Sequence, residues 1–329
     1  MSLLNDASIV ITPNGYNVGR LYAVIPSSGA ADMDVTRATA ATRVDENGLV
    51  NYAEIIGGEE VTNGDFATDT DWTKGAGWTI SGGDGVLTSG SGSLNQTLSG
   101  VIVGRSYKLS WESGLNFQVR LGGANIGYFS GNNSLIISSA AGTLLEFLPN
   151  GTQTGTIDNI SVKEVTRDNV PRIDYSGCPH ILAEPQRTNV NTYSEDFSQS
   201  FYIKDSGVSV GTTNNVSPSG EFNATQIEVD NNLRIYANTA SDTYASSWYI
   251  KAGTFSYFRS GGNIDLVAGT YSGGTIQSVG NGWFRITKAY TGNRPFQIQA
   301  YPDGTYSSHT TSGNYYIWGS QIEAGSYAT

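Results

Sequence analysis

The chain has 329 residues, of which only 14% are charged, while 41 are Gly and 19 are Tyr; the net charge is −11. Few charges and many turn-forming, aromatic and β-branched residues suit strands rather than helices, and the acidic balance offers no footprint for nucleic acid and disfavours polyanionic glycans. One Cys, Cys178, excludes an internal disulfide, no apolar run approaches membrane-spanning length, and the opening Met-Ser-Leu-Leu-Asn-Asp lacks a secretory pattern.

Residues 1–56 read as a β leader with too few strands for a sandwich. Ala7–Thr12 is a short apolar strand that Pro13-Asn14-Gly15 ends as a turn, and Gly19–Pro26 is a second strand. Residues 57–166 then alternate with period two. In Tyr107-Lys108-Leu109-Ser110-Trp111-Glu112 one face is Tyr, Leu and Trp, and Phe117–Leu121 repeats the pattern. Thr143–Leu148 is apolar on both faces and suits a central strand; Gly155–Val165 closes the segment. After a stretch at 167–192, residues 193–329 open with Tyr193-Ser194-Glu195-Asp196-Phe197 and close with Tyr316–Gly325. Between them Ser246–Lys251 and Gly282–Thr287 are strand-like. In register, Ile157–Glu164 corresponds to Ile317–Ala324, so the two segments read as diverged copies of one plan.

Two runs frame the first copy. Arg37-Ala38-Thr39-Ala40-Ala41-Thr42-Arg43-Val44, with Asn47-Gly48-Leu49 after it, lies before the copy. After it come Pro171-Arg172-Ile173-Asp174-Tyr175, Gly177-Cys178 and Leu182-Ala183-Glu184-Pro185-Gln186-Arg187-Thr188-Asn189, then Tyr193–Phe197. These runs resemble the leader and linker of bacteriophage virion proteins, in which the two often adjoin; here more than a hundred residues separate them. Asn63-Gly64-Asp65-Phe66 and Ile157-Asp158-Asn159-Ile160-Ser161-Val162-Lys163-Glu164 resemble the opening and closing strands of a carbohydrate-binding-module jelly roll. The resemblances imply an all-β chain of two jelly-roll β-sandwich domains, 57–166 and 193–329. The first is inserted between the leader and a linker at 167–192.

Candidate sites are few. Asp158 shares strand parity with Ile160 and Val162 and is expected to face inward, where a lone carboxylate needs a partner. The resemblance implies a structural Ca²⁺ there, with Asp65 or a backbone carbonyl near Gly64 as the matching second ligand, though Asp158 would equally serve to cap backbone N–H groups. Flat rings stack on pyranose faces, and Tyr128, Phe129, Tyr271, Tyr301 and Tyr306 stand in turn-rich surroundings expected to be exposed. Trp111, Trp248 and Trp283 fall on alternating faces and read as core. Arg37, Arg43, Arg172 and Arg187 are placed to tie leader and linker together as a docking platform, with Cys178 as a small buried residue of the linker.

Catalysis has little to recommend it. His180 and His309 lie far apart, and Asp69/Asp71, Glu59/Glu60 and Glu195/Asp196 fall in turns rather than as an evident acid pair. The expected function is therefore that of a structural component of a tailed-phage virion, non-enzymatic and assembled in the host cytoplasm. It would be a homo-oligomer, a trimer by analogy with other jelly-roll appendages, contacting other virion proteins and a host surface glycan. A stand-alone carbohydrate-binding protein is the alternative, and a glycan-degrading enzyme a more distant one.

Overall fold

A computed structural model describes residues 7–37, 40–138, 140–182, 188–213, 215–231 and 234–326. Among them every regular element is a strand. The chain divides into two compact units, 1–41 with 52–171 and 42–51 with 172–329.

In the first unit, β1 (Val10–Asn17), β2 (Arg20–Ile25) and β3 (Met33–Asp34) form a small antiparallel sheet. Pro13-Asn14-Gly15 does not end β1 as the sequence suggests. The register jumps from Ile11↔Ala23 to Tyr16↔Leu21, so the turn-forming residues are absorbed in an irregular bulge within the strand. The numbering continues with β4 (Thr42–Val44) and β5 (Val50–Tyr52), which pair with each other.

The sandwich of this unit uses β6 (Ile55–Glu59), β7 (Thr73–Lys74), β8 (Trp78–Ser81), β9 (Asp84–Gly90), β10 (Leu94–Thr97) and β11 (Tyr107–Ser113). It is completed by β12 (Asn116–Leu121), β13 (Ala124–Ser130), β14 (Asn133–Ile137), β15 (Leu144–Pro149) and β16 (Gln153–Thr166). One sheet runs β13-β12-β15-β10-β7 and the other β14-β11-β16-β9-β8, with β6 added to β16. First and last strands therefore pair, through Lys163↔Glu59 and Val165↔Ile56. The alternation read in the sequence is the burial pattern: Tyr107, Leu109, Trp111, Phe117, Val119 and Leu121 all face the core. β15 is the central strand of its sheet as expected, but it is not apolar on both faces: Leu145, Phe147 and Pro149 are buried, while Leu144, Glu146 and Leu148 on the other face are half-buried.

The second unit continues with β17 (Ile173–Asp174), β18 (His180–Ile181), β19 (Tyr202–Lys204), β20 (Val208–Val210), β21 (Asn215–Val216) and β22 (Phe222–Val229). Then follow β23 (Arg234–Ala237), β24 (Asp242–Ala252), β25 (Tyr257–Arg259), β26 (Asn263–Asp265) and β27 (Thr270–Tyr271). Last come β28 (Thr275–Ser278), β29 (Trp283–Gly292), β30 (Phe296–Tyr301) and β31 (Gly313–Ala324). Its sheets run β19-β23-β30-β25-β26-β27 and β20-β22-β31-β24-β29-β28. Leaving out β6 from the first and β21, β27 and β28 from the second, the strand orders of the two sandwiches correspond one to one. Both units are jelly-roll sandwiches closed by apolar cores, the second around Trp248, Phe258, Phe296 and Ile317.

The linker is held by side chains. Asn191 is 1% exposed; its amide donates to the Tyr202 hydroxyl (2.6 Å) and to the Ser320 carbonyl (3.0 Å). Asn189 accepts the Ile322 N–H at 2.9 Å. Both asparagines thus satisfy backbone groups at the edge of β31 that strand pairing leaves over. Cys178 is exposed rather than buried, because it sits in the turn joining β17 to β18.

Candidate functional site

Leader and linker residues meet within each unit. In the first, the Arg37 N–H donates to Asn169 Oδ1 (2.7 Å), and its guanidinium donates to the Arg167 carbonyl (3.2 Å). Arg167 in turn bonds Glu54 at 2.8 Å and lies 3.5 Å over the Tyr52 ring. In the second, Arg43 donates to the Ile173 carbonyl (3.1 Å) and Arg172 to the Thr42 carbonyl (2.9 Å). Asp174, 6% exposed, accepts the Val44 N–H at 3.0 Å and the Ser176 N–H at 2.8 Å. Burial alone would raise the Asp174 carboxyl, but these bonds and the Ser176 hydroxyl hold it below the usual range. Arg187 lies outside the described residues.

Asp158 does not face inward. Ile157 is fully buried, and the next buried residue is Ile160, because Asn159, at φ 53°, is an extra left-handed residue that resets the alternation. Asp158 pairs directly with Glu112, a like-charge arrangement that destabilises a sheet. Burial pushes its carboxyl up; the Asn159 N–H offsets this, while Asp84, Glu112 and Asp65 push further upward. Asp158 Oδ1 is buried with no hydrogen-bond partner, and Asp65 is exposed with its carboxylate turned to the Ala67 N–H. Among the described residues no three His, Cys, Asp or Glu side chains converge to hold a metal, so these residues form no side-chain cage.

The carboxylates named for catalysis have structural work. Asp69 pairs with Lys74; Glu59 accepts the Val162 N–H and the Ser161 hydroxyl, both at 2.7 Å. Glu195 and Asp196 line a cleft of about 420 Å³ with Ser198, Thr213, Phe222 and Asn223. Burial there is outweighed by bonds from Ser198 and Gln199, which keep Asp196 below the usual carboxylate range, opposite to what a general acid requires.

The aromatic candidates separate sharply. Tyr128 is 62% exposed at the edge strand β13. Phe129 is not exposed: it packs on the first core, edge-on to Trp111 at 5.6 Å. Tyr271 is half-buried against the second core; its hydroxyl donates to the Ser260 carbonyl (2.6 Å) and burial pushes it up to about 12. Tyr301 is 2% exposed, because the loop after β30 folds back over it. There Tyr306 stacks edge-on to Tyr301 at 5.5 Å and donates to the Ile264 carbonyl, and His309 hydrogen-bonds the Ala300 carbonyl.

Tyr301 and Tyr306 border a more extensive surface that single-residue reasoning missed. On the outer face of the sheet β23-β30-β25-β26, strand register aligns residues in rows. One row is Arg234, Gln299, Arg259 and Asn263. Beside it lies Ile203, Tyr236 and Gln297, and on the other side Tyr301, Tyr257 and Asp265. The intervening residues Ile235, Ile298, Phe258 and Ile264 fill the core. Arg294 lies 4.2 Å over Tyr236, and Arg259 lies 5.4 Å from Tyr301 and 5.7 Å from Tyr306. The signal in the sequence was the alternation itself, Arg-Ile-Tyr-Ala and Phe-Gln-Ile-Gln-Ala, whose polar half forms this face.

No family model and no curated protein matches the chain. Among solved structures it is similar to the CBM22-1–CBM22-2 tandem of Paenibacillus barcinonensis Xyn10C, at 11% identity and TM-score 0.28, covering 82% of this chain and 98% of that one. It is also similar to the M60 catalytic domain with CBM51-1 and CBM51-2 of Clostridium perfringens ZmpB, at 9% identity and TM-score 0.22, covering 97% and 49%. At such scores neither bears on function.

Proposed function

We propose that the chain is a non-catalytic glycan-binding protein, displayed as an appendage of a bacteriophage particle. The observation that carries the binding half is the outer face of β23-β30-β25-β26. Its Tyr257 and Tyr236 rings and its Gln297, Gln299 and Asn263 amides stand in register on a rigid sheet. Aromatic bodies with interleaved amides are the chemistry that recognises a sugar's alternating apolar faces and hydroxyls. The particle half rests on the leader and linker motifs, whose arginines Arg37, Arg43 and Arg172 bond main-chain groups of linker or leader in the folded chain. Oligomerisation, with a trimer as the working expectation, draws support from the leader sheet, where Tyr22, Val24 and Met33 stay exposed. A stabilising calcium ion beside Asp158 draws support only from the unpartnered Asp158 Oδ1.

A glycan array probed with the intact protein tests the binding half. Binding that Tyr257→Ala together with Gln299→Ala abolishes, with the melting temperature preserved, is expected; no binding to any glycan would overturn it. Purified particles probed for the chain test the appendage half, and its absence from them would favour a stand-alone binding protein. Calcium is tested by EDTA, which should lower the melting temperature of the first unit.

A further inference from the structure

The same face carries a charge pattern that narrows its ligand, on the premise that it binds glycans at all. The chain holds 18 Lys and Arg against 29 Asp and Glu, yet Arg234, Arg259 and Arg294 all belong to this one surface. Arg234 and Arg259 flank Gln299 in a single row. Neighbouring strands lie about 4.8 Å apart, so the two backbones are separated by about 10 Å.

Their surroundings leave donors to spare. Arg259 is exposed; its Nε donates to Asn263 Oδ1 (3.0 Å), which orients the guanidinium over the Tyr301 and Tyr306 rings. Arg234 uses Nε on Asp205 at 3.0 Å. Arg294 lies over the Tyr236 ring, and its Nε is buried without a partner. Of the nearby carboxylates, Asp205 pairs with Arg234, while Asp265 accepts the Val267 and Ala268 N–H groups and Asp303 that of Thr305; Arg259 and Arg294 are the arginines of this face that no carboxylate pairs among the described residues. A guanidinium held by a ring and an amide presents its remaining N–H fork to a planar anion, the geometry that suits a carboxylate.

We propose that the outer face of β23-β30-β25-β26 recognises a carboxylate-bearing polysaccharide, with Arg259 and Arg294 as the principal anion contacts and Gln297, Gln299 and Tyr257 contacting the sugar. Sparse charge on the ligand matches two available arginines, Arg259 and Arg294, on an acidic chain, Arg234 being paired with Asp205. A dense polyanion such as nucleic acid or a heavily sulfated glycan would be repelled by the rest of the molecule.

The test is calorimetric titration of the intact protein with a sparsely charged polygalacturonate, most of its carboxylates methyl-esterified, with the fully methyl-esterified form, and with dextran, heparin and single-stranded DNA. Binding of polygalacturonate at least tenfold tighter than of its neutral ester is expected, weakening as salt rises. Arg259→Gln with Arg294→Gln should remove that preference at an unchanged melting temperature, and Arg259→Lys should restore only part of it. Equal binding of acid and ester would refute the acidic preference while leaving glycan binding intact. Tighter binding of heparin or DNA would assign the face to dense polyanions and refute it too. Absence of binding here and across the glycan array would remove both readings together.

Discussion

The two sandwiches are built on one plan, and their closing strands show how the copies have parted. In β16, Asn159 bulges at φ 53°; at the aligned position of β31, Gly319 bulges at φ 60°. Each bulge faces a register shift in the partner strand, between Ser110 and Glu112 in one copy and between Ser247 and Tyr249 in the other. The residue skipped is a buried tryptophan both times, Trp111 or Trp248. Each lies edge-on to a phenylalanine of the opposite sheet, Phe147 at 5.3 Å or Phe296 at 5.5 Å. Just before the bulge the chemistry diverges. The first copy sets Asp158 against Glu112, where the second sets Trp318 against Tyr249 with rings 5.2 Å apart. Backbone geometry and core are held in common, whereas the pairs beside the bulge are free to change, charged in the first copy and buried aromatic in the second, where Trp318 is 1% and Tyr249 5% exposed.

The strongest way to break this comparison is at the shared tryptophan. Trp111→Ala and Trp248→Ala should each cost about 3–5 kcal/mol, read by chemical unfolding. A large loss in one copy and a negligible one in the other would show that the slots are not equivalent.

A sharper contrast lies one pair away. Leu109 faces Leu135 in the first copy, and the corresponding pair in the second is Ser246 and Lys288. Lys288 is 5% exposed, donates to the Ser260 hydroxyl at 3.1 Å and is pushed down to about 8 by burial. Because the folded state binds the proton less readily than the unfolded chain, stability should rise as pH climbs through about 8 towards the ordinary lysine value of 10.5. Below that window the whole cost of the buried charge is present. Lys288→Leu, which restores the first copy's residue, should therefore stabilise by about 2 kcal/mol at pH 7 and progressively less above pH 9.

The bulges give a smaller effect. Gly319→Ala should cost about 1 kcal/mol, since a Cβ there is strained and would meet the Tyr249 ring at 3.1 Å; Asn159→Gly should be near neutral. The smallest effect is at Asp158. Its raised pKa means that the folded state holds the proton longer, so its cost is complete at neutral pH and relieved as pH falls through the shifted value. In EDTA, where no calcium ion can offset the repulsion, Asp158→Asn should raise the melting temperature slightly at pH 7 and not at all in acid.

Much of this architecture was legible because alternation, Gly-rich turns and the match of Ile157–Glu164 to Ile317–Ala324 are properties of local sequence. What failed was local too. A single extra residue, Asn159, inverted the expected facing of Asp158, and bulge residues leave little trace in hydropathy. Tyr301 was misjudged because its cover, Tyr306 and His309, comes from a loop whose fold-back no period announces. The outer face of the second copy was missed because Arg234, Arg259 and Arg294 lie on separate strands, and only register brings the first two into one row. Cys178 looked like core by residue type, yet a hairpin tip decides its exposure.

The most direct test of the account is hydrogen–deuterium exchange of the intact protein with and without the sparsely charged polygalacturonate or an array-positive glycan. Protection confined to β23, β25 and β30, with the first sandwich unchanged, is the predicted result. Protection centred on the first sandwich, or on the cleft beside Glu195 and Asp196, would contradict it.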